Sequence, residues 1–195
     1  MTTLGIDHAA SRNLMATYFA LGTSTPGTQL LQEEGFRACI GPFEHPICNF
    51  AADLNLEGST GARLLDLALS RPTFNVYELP GDRPSHVKAT LANLGFQPGH
   101  QLRMMAAEPK FTSTSKRLVL CETPADRKQV AAFMADQFFS RHDGSFRKRV
   151  QETTCQAEGM KLYKVIERGR IVAAVMISDS FGLFGIYNLC VSSAH

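Results

Sequence analysis

Two stretches of the chain hold residues whose types and spacing could do chemistry. The first is Asn55-Leu56-Glu57-Gly58-Ser59-Thr60-Gly61-Ala62-Arg63, with two glycines, a helix start and one cation. Backbone N–H groups at such a start can cradle an anion such as a diphosphate, which makes Gly58, Gly61 and Arg63 the contacting residues. Glu57 puts negative charge at the same place, and a Gly-rich turn opening an ordinary helix fits the same residues. The second stretch is Tyr187-Asn188-Leu189-Cys190-Val191, a polar pair running into an apolar segment. On a regular strand Tyr187 and Asn188 point to opposite sides, so one of the two is buried. Cys190 reads either as a small buried apolar residue or as a nucleophile.

Other polar groups say less. His45 and Cys48 are too close along the chain for a catalytic dyad, whose partners are ordinarily distant in sequence. His142-Asp143 reads as a solvated helix junction, and Arg147-Lys148-Arg149 as a solvated helix face or an anion contact. Twenty Lys+Arg against eighteen Asp+Glu give a net charge of +2, too balanced for an electrostatic nucleic-acid binder. With 44% hydrophobic and 19% charged residues the 195-residue chain is globular in composition. Its five cysteines are odd in number and lack CxxC spacing, which argues against a disulfide framework and against a zinc or other metal site. The opening Met1-Thr2-Thr3-Leu4-Gly5 has no basic or apolar leader character, and no run of about 18 apolar residues occurs. The expectation is a reduced cytoplasmic protein with no membrane and no nucleic-acid partner.

The elements that must position these residues follow from periodicity and punctuation. Pro109–Arg117 is Ser/Thr-rich and polar, so residues 109–116 read as a linker between 1–108 and 117–195. Before it, Asp7 is placed to cap a helix carrying Leu14, Met15, Tyr18, Phe19 and Leu21. Strands are expected over Gln29–Glu33, Phe36–Ile40, Ile47–Leu54, Phe74–Leu79 and Gln101–Ala107. Helices are expected after Ser59 and from Pro84 to the Gly95 stop. After the linker come a strand at Leu118–Glu122, a helix capped by Thr123, a more polar helix over 143–157, and the hairpin Leu162–Glu167/Ile171–Ser178. Ile171–Ile177 is apolar on both faces and reads as a central strand, followed by Gly185–Ser192. Both halves place a helix upstream of a hairpin that leads into an Asn-bearing strand, an internal duplication in an α+β arrangement.

Gly169–Ile177 followed by Gly185–His195 resembles the third and fourth strands of the GNAT family of N-acetyltransferases. Phe74-Asn75-Val76-Tyr77 and Thr90–Phe96 are similar to that family's fifth strand and its following helix. The resemblance implies two GNAT-like units, each a mixed, mainly antiparallel sheet with packed helices, the first degenerate and the second incomplete. It implies acetyl transfer from acetyl-CoA to a small-molecule or peptide amine. Tyr187 and Asn188 then take the catalytic positions, and Leu189, Cys190 and Val191 the coenzyme positions. In the family the thioester carbonyl is polarised by N–H groups freed where two strands splay, and a Tyr protonates the leaving thiolate. Leu91 stands where that Tyr is often found, and the family's pyrophosphate loop would follow His195. Non-catalytic alternatives are a GNAT-like module binding a ligand or partner, or a structural fragment completed by a second copy. The bare edge expected along Gly185–Ser192 points to a homodimer.

Overall fold

The computed structural model describes residues 3–102, 104–108 and 117–193. Among them the chain is α+β, with five α-helices and two four-stranded sheets. It divides into two compact units, Met1–Ala106 and Ala107–His195. The linker expected over 109–116 lies outside the described residues.

The first unit runs α1 (Thr3–Thr23), β1 (Gln29–Glu33), β2 (Phe36–Ile40), β3 (Asn49–Ala52), α2 (Thr60–Leu69), β4 (Asn75–Val76) and α3 (Val87–Asn93). β1, β2 and β3 are antiparallel neighbours, and β4 lies parallel to β3 after the α2 crossover. Alternation along the strands sorts the core into two layers. Phe36, Ala38, Ile40 and Ala51 face Leu64, Val87 and Leu91 from α2 and α3. Cys39, Phe50 and Ala52 face Met15 and Phe19 of α1. Arg37 is on that second face, with its guanidinium 4.4 Å from the centre of the Phe19 ring.

Several expected boundaries shift. Asp7 lies inside α1, its carbonyl accepting the Ser11 hydroxyl at 2.8 Å, because the helix already begins at Thr3. β3 is shorter than 47–54: Pro46–Cys48 form a 3-10 turn, with His45 Nδ1 accepting the Ile47 N–H at 3.2 Å. Its far end stops at Asp53, whose φ of 57° leaves the extended region. No strand occupies the described residues 101–102 and 104–107, where no ladder partner is found and Met105 is 97% exposed.

The second unit runs β5 (Leu118–Leu120), α4 (Pro124–Phe138), α5 (Gly144–Gln156), β6 (Met160–Glu167), β7 (Arg170–Ser180) and β8 (Leu183–Val191). All four strands are antiparallel in the order β5-β6-β7-β8, so β7 is central as its apolar run requires. Thr123 caps α4 by accepting the Asp126 N–H at 3.1 Å, and Asp143 caps α5 by accepting from Ser145 and Phe146 at 2.8 and 2.9 Å. Leu162, Ala174 and Met176 are buried on the helix-covered face with Val130 and Met134 of α4. Lys164 shares that face and is buried against Asp126 as an ion pair. Arg127 closes the end of α5, donating to the carbonyls of Cys155, Ala157 and Met160 at 2.9, 3.1 and 2.8 Å. Among the described residues no helix is long and apolar enough to cross a membrane.

Candidate functional site

The residues singled out in the sequence fall in different units. Gly58, Gly61 and Arg63 stand at the start of α2, and Tyr187 to Val191 on β8.

At α2, Gly58 has a φ of +63°, a left-handed turn that glycine adopts without steric cost. Gly61 is a packing glycine, since a Cβ there would stand 3.0 Å from Leu94 Cδ1 at the end of α3. Arg63 donates from Nε and Nη2 to the two carboxylate oxygens of Glu33 at 2.7 and 2.9 Å, which ties its guanidinium to β1. That fork holds the Glu33 carboxyl below its ordinary range. Ser59 makes no side-chain capping bond, so the first N–H groups of α2 lack a side-chain acceptor from it. Leu91 is buried among the residues beneath α3.

Beyond the short parallel pairing of β3 with β4, the two strands part. Phe50 faces Asn75 and Ala51 faces Val76, and the last shared rung is the Tyr77 N–H on the Ala51 carbonyl at 2.9 Å. The next two freed donors, Leu54 N–H and Leu79 N–H, each meet one oxygen of Asp82, at 3.0 and 2.7 Å. Arg83 then runs beside β3's extension, its N–H donating to the Leu54 carbonyl and its carbonyl accepting the Leu56 N–H, both at 2.8 Å. Burial pushes the Asp82 carboxyl up to about 6, against the two N–H donors that favour its charge. Sequence reasoning missed Asp82. In Gly81-Asp82-Arg83-Pro84 it reads as an ordinary turn residue, and Leu54 lies 28 positions away.

On β8 the expected alternation fails at Asn188. Met176 faces Tyr187 and Ala174 faces Cys190, so Asn188 and Leu189 together oppose Val175 in a bulge. Asn188 has a φ of 49°, a conformation asparagine tolerates better than most residues. Tyr187 and Cys190 consequently share the helix-covered face, because residues directly opposite in a ladder project to the same side. Cys190 is buried, its thiol lies 3.8 Å from the Ala174 carbonyl, and burial raises its pKa; it is a core thiol in its contacts. Ile186, Leu189 and Val191 are 67%, 64% and 55% exposed. The Ser192 N–H turns inward to the Val172 carbonyl at 2.8 Å, so by alternation the Val191 N–H turns to the outer edge.

Asn49, the asparagine that heads β3, has a different task from Asn188. It is buried, donates to the Phe43 carbonyl at 2.6 Å and accepts the Gly41 N–H at 3.2 Å, fixing the turn before β3. His45 and Cys48 do not form a dyad: His45 Nδ1 faces the Ile47 N–H, and the Cys48 thiol is 3.5 Å from Thr25 Oγ1. No protein-family model matches the chain, and no curated protein or solved structure matches it.

Proposed function

We propose that the chain is a tandem GNAT-like protein in which the second unit carries the reacting strand for acetyl transfer from acetyl-CoA to an amine. The observation that carries this reading is the left-handed bulge at Asn188 on the terminal strand of the second sheet. A bulge interrupts the ladder and re-aims backbone groups, and a thioester carbonyl developing negative charge needs such donors. Asn188 is exposed there, and the Val191 N–H turns outward a few residues on. Leu189 and Val191 offer apolar surface for the coenzyme's chain, Cys190 contributes through its backbone, and Tyr187 lies on the other face of the same bulge.

The alternative, a non-catalytic ligand- or partner-binding module, is favoured for the first unit by a specific observation. Its strand gap already holds the Asp82 carboxylate, and Arg63 is already paired with Glu33. Both anion-receiving features there are spoken for by the chain itself.

Calorimetric titration of the whole chain with acetyl-CoA tests the reading. With Arg63 already forked to Glu33 and no amide cradle for the diphosphate beside β8 among the described residues, the expected dissociation constant lies well above the micromolar range. Leu189→Glu should weaken it further and Arg63→Ala should leave it unchanged. Absence of any heat at millimolar coenzyme would overturn the acetyl-transfer reading and leave the non-catalytic one.

A further inference from the structure

No further inference is drawn: the strongest candidate, the exposed apolar patch that Leu118, Leu120, Ile186 and Val191 form on the face of the second sheet away from α4, carries nothing because nothing in the structure shows what covers it.

Discussion

Arg127 shows how much one side chain does in the second unit. Its planar fork satisfies three carbonyls where α5 ends and β6 begins, at Cys155, Ala157 and Met160. Arg127→Ala leaves those partly buried acceptors without their charged donor, and unfolding in urea should show a loss of about 2 kcal/mol. Arg127→Lys should recover little of it, because an ammonium cannot match the fork. The carboxylates of the two units respond to pH in opposite directions. Asp82 has its carboxyl raised to about 6 by burial, so the folded state holds that proton more tightly than the unfolded one. Its contribution to stability is fully present below about pH 4 and is lost as pH rises through about 6. Asp126 is lowered, first by its hydrogen bond from Lys164 and then by Thr123, so its contribution is present at neutral pH and is lost as pH falls below the ordinary carboxylate range. Urea midpoints from about pH 4 to 7 check this: the gap between wild type and Asp82→Asn should change across that window and stay constant above it.

At the scale of elements, the β8 bulge and the α2–α3 contact make separate demands. Asn188→Gly should leave stability nearly unchanged, since glycine adopts a φ of 49° freely, while Asn188→Val should cost about 1–2 kcal/mol in backbone strain. Thermal unfolding of the two variants measures the difference. Gly61→Val should cost about 1–3 kcal/mol by driving α2 from Leu94, a packing effect independent of any anion. Local signals made many elements legible. Gly35 and Gly41-Pro42 bracket β1 and β2 at their observed bounds, Thr123-Pro124 opens α4, and the doubly apolar Ile171–Ile177 is the centre of its sheet. What stayed hidden depends on distant partners. Gln101–Ala107 looks strand-like, yet no neighbouring strand pairs with its described residues. Phe74–Leu79 shortens to Asn75–Val76 because the Leu79 N–H goes to Asp82 in place of a ladder partner. The bulge was masked by Leu189-Cys190-Val191, a run with no alternation to break; Asn188, a left-handed-tolerant residue just before it, was the available signal.

For the whole molecule, the expectations for association and for acetyl transfer both rest on β8. Leu183–Val191 contains no charged residue, and strand β8 ends its sheet among the described residues with Phe184, Ile186 and Leu189 each more than 60% exposed. Natural edge strands are ordinarily protected by charge, proline or a cover, and β8 has the bulge but neither charge nor proline. We expect a second copy to meet it in two-fold antiparallel register without opposing like charges, in competition with acetyl-CoA for the same edge, so light scattering of the coenzyme-free chain should give a dimer that Leu189→Glu converts to monomer. A wild-type monomer at the same concentration would end that expectation. The central claim is that β8 of the second unit, and not the α2 loop or the Asp82 gap of the first, is where acetyl-CoA is met. Titrating acetyl-CoA into the isotope-labelled chain and following the backbone amides tests it directly. The account predicts saturable shifts confined to Ile186–Val191 and the facing part of β7, with Gly58, Gly61 and Arg63 unmoved. Shifts at Leu54, Leu79 and residues 55–63 with a silent β8 would contradict it.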